Sequence, residues 1–180
     1  MNKKFCLGQI AGLWVYVRMN VFLGMLVLWW VFSGLVYFIL KLPPIASLAM
    51  GLAGVFLHYT FEFWHQYCHA WVARRTGYPM DGVLYTIVFA ISLYPRDEPE
   101  LPAEVHIQRA LGGPLGSLAL GLFGGILTWA LYPFDGLLSW FAWFVFLENL
   151  FVFCLAALLP LGFTDGSTLL QWWKHRKPKS

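Results

Sequence analysis

The stretch His58–Arg75, HYTFEFWHQYCHAWVARR, places ionisable side chains at helical spacing inside an apolar segment. At 100° per residue, His58, Glu62, His65 and His69 fall within roughly 60° of one another. Ionisable groups are costly in hydrocarbon, so such a stripe marks an interior or functional face. His65 and His69 stand at i and i+4, the spacing by which one helix offers two imidazoles to a single zinc ion. A helix that activates water for hydrolysis carries a glutamate base directly after the first histidine. Here that position is Gln66.

The composition says where such a helix must sit. The chain has 180 residues, 59% of them hydrophobic and 19% aromatic, and only 12% are charged. A soluble domain would carry about twice that charge. Long uncharged runs indicate an all-α polytopic membrane protein with about four transmembrane helices, in one membrane domain spanning 1–180. Three cysteines, Cys6, Cys68 and Cys154, lie far apart without a CxxC pair and read as free thiols.

Residues 1–18 open with Lys3 and Lys4 and end on Arg18, which predicts an interfacial helix on the inner leaflet. Met19–Leu40 is an apolar run long enough to span, closed by Lys41, Pro43 and Pro44. The second span covers about Ile45–Val72 and ends in the histidine stretch; Thr76-Gly77-Tyr78-Pro79 breaks it. Gly82–Tyr94, GVLYTIVFAISLY, is too short to cross and rich in β-formers, so it predicts a short strand or re-entrant segment. PRDEPELPAEV follows as a solvated acidic loop. A third span lies within Gln108–Tyr132 and a fourth at about Leu137–Leu159, before a basic tail at 174–180.

With four spans, eleven of the twelve Lys and Arg residues fall on one side, and only Lys41 on the other. The positive-inside rule puts that side, with both termini, in the cytosol. His65, His69 and Asp165 then lie near cytosolic ends of spans, at similar depth. The tail meets the inner leaflet of the lipid bilayer, and no nucleic-acid partner is expected.

Three blocks resemble the site-2 proteases, zinc metalloproteases that cut substrates within the membrane. His65–Gly77 is similar to that family's HExGHA…AR..G helix, and Ala110–Ser117 to its AGP-type segment. Ala157–Gly166 is similar to its NLLP…LDG block. The resemblance implies a metalloprotease-like core of three helices over 45–173, with Zn2+ held by His65, His69 and Asp165. It implies a membrane-spanning protein substrate or partner helix approaching Gly112, Gly113, Pro114 and Ala157. It further implies that the Gly82–Tyr94 stretch pairs with an unwound substrate, in a bacterial or archaeal cytoplasmic membrane. Two histidines and a carboxylate leave the fourth tetrahedral position open, as catalytic zinc requires.

Three departures weigh against activity. Gln66 cannot accept a proton, Cys68 adds bulk where the family has glycine, and Ala157 replaces an asparagine that helps bind substrate. An engineered Glu-to-Gln exchange accounts for Gln66 alone, whereas natural divergence accounts for all three. The implied function is an intramembrane zinc metalloprotease, inactive or weakened as given; the alternative is a silent protease-like protein that binds zinc or a partner helix. A proton or metal pathway along His58, Glu62, His65 and His69 is a third reading.

Glu62 reads as a substitute base or as a member of the polar network behind the ligands. His58 reads as a satisfied polar group farther into the membrane, and His106 as a loop histidine at the cytosolic face rather than a site member. Glu148 and Asn149, mid-span, predict interhelical hydrogen bonds.

Overall fold

The computed structural model describes residues 3–134 and 136–175; Asp135 of the turn before the fourth span and the tail from residue 176 lie outside them. The fold is mostly helical with one small sheet. Four helical stretches, Val21–Leu40, Pro44–Arg75, Ala103–Leu131 and Leu137–Ala156, are long and apolar enough to cross a membrane. The chain divides into two compact units, Met1–Phe63 with Asp81–Leu93 and Trp64–Met80 with Tyr94–Ser180.

The first unit holds strands β1 (Lys4–Ile10), β2 (Leu13–Arg18), β3 (Gly82–Tyr85) and β4 (Ala90–Leu93) in the order β1-β2-β3-β4. The helix predicted over 1–18 is therefore a hairpin. Ala11 and Gly12 both take positive φ (52° and 81°), the two-residue turn whose twist matches antiparallel strands. Leu13 and Val15 alternate inward with period two, at 0% and 3% exposure, which no helix would allow. The stretch read as one strand or re-entrant piece is itself a hairpin, β3–β4. It joins β2 in parallel register, Trp14 opposite Gly82 and Val17 opposite Tyr85.

Helix α1 (Val21–Leu35) continues as a π-helical turn, Val36–Leu40, to Lys41 at φ 53°. Helix α2 (Pro44–Arg75) starts on proline, whose fixed φ and missing N–H suit a first turn. Its small residues let α1 approach: a Cβ on Gly51 would lie 2.7 Å from the Ser33 nitrogen. Gly77, at φ 83°, ends α2, and the Tyr78 N–H returns to the Ala73 carbonyl at 3.3 Å.

The second unit is built on the last turns of α2 with helices α3 (Ala103–Leu131), α4 (Leu137–Leu147) and α5 (Asp165–Trp173). Helix α4 passes into a π-helical stretch, Glu148–Ala156. The Asn149 amide donates to the Val145 carbonyl of its own helix at 2.9 Å, not across helices as expected. The bond is the local return to the i−4 carbonyl that short polar side chains make within a helix. Thr164 precedes α5 in extended conformation, so Asp165 is its first residue and not its cap.

Candidate metal centre

Three side chains from distant parts of the sequence converge in the second unit. His65 Nε2 lies 3.0 Å from His69 Nε2 and 3.2 Å from Asp165 Oδ2, and His69 Nε2 lies 3.3 Å from Asp165 Oδ1. All three ligand atoms fall within 4.8 Å of one another. Both histidines are buried, and the Asp165 side chain is 20% exposed.

The second nitrogens fix the rings. His69 Nδ1 is 2.7 Å from the Arg109 carbonyl oxygen, which only accepts, so the proton is on Nδ1 and the Nε2 lone pair faces His65. The Gly113 N–H, 3.2 Å from that Nδ1, is then a close neighbour and not a donor to it. His65 Nδ1 is 3.0 Å from the Ser117 hydroxyl, which is fully buried, and the Phe153 ring lies tilted against the His65 ring, centroids 6.0 Å apart. Holding the outer nitrogen of a ligating imidazole is how proteins aim the inner one at a metal.

Asp165 is delivered by a backbone return. The Gly166 N–H donates to the Ala157 carbonyl at 2.9 Å. A Cβ on Gly166 would lie 2.9 Å from the Leu159 carbonyl carbon, so only glycine allows the chain to fold back this closely. Stacking of His106 on Trp172, ring centroids 3.9 Å apart, ties α5 to α3. Burial alone would raise the Asp165 carboxyl, but His69 and His65 more than reverse that and hold it at about 2.

The residues fit a zinc ion. Tetrahedral zinc with bonds of about 2.0–2.1 Å spaces its ligands about 3.3 Å apart; here the two Nε2 atoms are 3.0 Å apart, one Asp165 oxygen lies 3.2 Å from His65 and the other 3.3 Å from His69. The space is kept open by Gly113: a Cβ there would lie 2.6 Å from His65 Cε1 and closer still to both Nε2 atoms. Two imidazole nitrogens and a carboxylate form a donor set suited to Zn2+.

Of the other residues singled out in the sequence, Gln66 is buried on the turn between the imidazoles. Gly112 lies against the histidine helix, where a Cβ would be 3.0 Å from His69 Cα, and Pro114 is fully buried in α3. The Ala157 carbonyl accepts the Gly166 N–H, next in sequence to Asp165. Cys68 is received by Gly116, where a Cβ would come within 2.6 Å of Cys68 Cβ. His58 and Glu62 belong to the first unit. There His58 Nε2 donates to the Val88 carbonyl at 2.8 Å and Glu62 Oε1 accepts the Ala90 N–H at 2.9 Å, both from the β3–β4 hairpin. Tyr59 adds a bond to the Ile87 carbonyl at 2.5 Å. His106 sits in the first turn of α3 against Trp172. Sequence reasoning missed Ser117 and Arg109 as partners of the ligands. Ser117 stood among small residues, and Arg109 entered only as a topological charge.

Fold and site together describe an integral membrane protein with a His–His–Asp cluster of metal-ligating type. The fold matches the solved structure of the Site-2 Protease from Methanocaldococcus jannaschii with a TM-score of 0.66 and 17% identity. The match covers 97% of this chain and 73% of that one. No family model and no curated protein matches the sequence.

Proposed function

We propose that this chain is a site-2-type intramembrane zinc metallopeptidase disarmed at its general base, binding a membrane-spanning protein segment with little or no cleavage. The observation that carries this reading is the convergence of His65, His69 and Asp165, from two ends of the chain, onto one point. Zinc, when bound, supplies a Lewis acid that polarises a peptide carbonyl and lowers the pKa of water to about 7.

The chain's own residues supply the rest. Ser117 and the Arg109 carbonyl hold the two imidazoles with their inner nitrogens facing each other. Asp165 contributes the negative charge that a divalent ion needs. Gln66 offers a hydrogen-bond donor and acceptor that orient a water, but no group able to take its proton. Loss of a general base lowers the rate by on the order of 10²–10⁴. Strand β4 lies at one edge of its sheet, the position from which an extended segment is received by strand addition. We assign Glu62 to holding the β3–β4 hairpin. Both termini are assigned to the cytosolic side of a bacterial or archaeal cytoplasmic membrane, on the positive-inside distribution.

A second reading, a catalytically silent protein that holds zinc or a partner helix, is favoured by the close fit of Cys68 against Gly116, which marks this departure as an integrated part of the helix pair. Cleavage of a membrane-helix substrate by the chain as given and by Gln66→Glu separates the two. Cleavage appearing with glutamate supports a disarmed peptidase; none in either protein supports the silent one. Cleavage in both would overturn the base assignment.

A further inference from the structure

Outside the ligand triangle, the most heavily engaged charged group in the described second unit is the Arg109 guanidinium. It is 4% exposed, in the second turn of α3. Its two terminal nitrogens both reach the Glu98 carboxylate, one to Oε2 at 3.0 Å and the other to Oε1. The second also donates to the Tyr78 carbonyl at 2.5 Å. The Tyr94 ring covers the guanidinium at 4.2 Å, and Tyr78 stands beside it at 5.9 Å. A buried cation persists where its charge is answered; the terminal nitrogens of Arg109 are used, while its buried Nε makes no hydrogen bond.

What makes this cluster more than structural is the other end of the same residue. The Arg109 carbonyl is the acceptor for His69 Nδ1 at 2.7 Å. Arg109 therefore holds the histidine helix by its carbonyl, at His69, and the segment just past that helix by its side chain, at Tyr78. We infer that Arg109 is a positioning residue for His69, and that Glu98, in the acidic loop before α3, holds it in place and thereby sets the tautomer and aim of a metal-ligating imidazole from outside the site. This rests on the metal centre proposed above. The hydrogen bonds from Arg109 hold the Glu98 carboxyl below its ordinary value, as a working ion pair requires.

The same logic gives the acidic loop a specific task. Among its residues Asp97, Glu98 and Glu100, Glu98 faces the buried guanidinium, and its side chain is only 16% exposed. Replacing it by a neutral side chain leaves a buried cation without its counter-charge. The side chain must then move, and the turn of α3 carrying the 109 carbonyl moves with it. The ring of His69, released at Nδ1, is then free to flip or to exchange tautomers.

Two readouts on the full-length chain in detergent test this. In the metal-free protein, nitrogen-15 NMR of the imidazoles should show His69 with its proton on Nδ1, and Glu98→Gln should show a tautomer mixture. With zinc alone as probe, Glu98→Gln should bind about 10–100-fold more weakly, the usual consequence of losing a partner behind a ligand, while Glu98→Asp restores most of the affinity. An unchanged tautomer together with unchanged zinc affinity in Glu98→Gln overturns the inference and leaves the metal centre standing. If wild type binds no zinc, the metal centre fails, and the tautomer readout still decides the inference. Should Glu98→Gln lose its helical signal, Arg109→Lys, which keeps the charge but not the forked grip on Glu98 and Tyr78, takes its place: tautomer mixing supports the role of the Arg109 side chain and an unchanged tautomer refutes it.

Discussion

Alanine at position 113 would put a methyl carbon into the space enclosed by the ligand triangle. Its Cβ would lie 2.6 Å from His65 Cε1 and nearer to both Nε2 atoms, against ordinary contacts of about 3.5 Å or more between carbons. Helix α3 cannot withdraw cheaply, because Gly112 already lies against the α2 backbone, with a Cβ there only 2.9 Å from the Cys68 carbonyl oxygen. The imidazoles must turn instead. Forcing two side chains about 30° off their rotamers costs roughly 1–3 kcal/mol together, which is about 5–150-fold in an equilibrium constant. Overlap of the methyl with an ion bonded at about 2.0–2.1 Å adds to that. We therefore expect Gly113→Ala to weaken zinc binding by at least about 100-fold, with helical content retained. The assay is zinc content after dialysis against a graded chelator, with circular dichroism alongside. Gly125→Ala, on the same helix and facing the Phe146 side chain at 3.2 Å, is the control and should bind like wild type. A Gly113→Ala protein that binds zinc as tightly as wild type would refute the placement of the ion.

Ser117→Ala removes the partner of His65 Nδ1 and should weaken zinc binding about 10–100-fold, measured by chelator competition; an unchanged affinity would show that the ring is oriented by other contacts. Leu13→Ala in β2 empties a fully buried site and should destabilise the first unit by about 2–5 kcal/mol, read from detergent denaturation. Asp165 is held at about 2 against an ordinary 3.8, so its contribution to stability is complete above 3.8 and fades only as pH falls toward 2. Zinc lost on mild acidification, above pH 3.8, should therefore leave while Asp165 is still ionised. A carboxylic-acid infrared band growing in at the pH of zinc loss would contradict this.

Much of the site was written in the sequence because a membrane span makes polar residues conspicuous. His65 and His69 stand at the one spacing that brings two imidazoles together on a helix. The topology then put Asp165 at the same depth. The stripe was less informative about what each member serves. His58 and Glu62 share a face with the ligands, yet they hold the β3–β4 hairpin, because which neighbour lies beside each turn is a tertiary matter. The N-terminal hairpin was missed because Leu7, Ile10 and Trp14 on its exposed positions are as apolar as its core, which blurs the period-two signal. The role of Arg109 was not readable at all. Its carbonyl, not its side chain, meets His69, and a backbone contact leaves no residue-type signature. Gly113 was legible as a small residue, while the reason for its size, clearance at the ligand nitrogens, needed coordinates.

X-ray absorption at the zinc edge on the full-length chain tests the central claim most directly. The account predicts a shell of nitrogen and oxygen at about 2.0–2.1 Å with the multiple-scattering pattern of two imidazoles, degraded in Asp165→Ala and abolished in His65→Ala. A sulfur shell at about 2.3 Å, or a spectrum that ignores both substitutions, would contradict it.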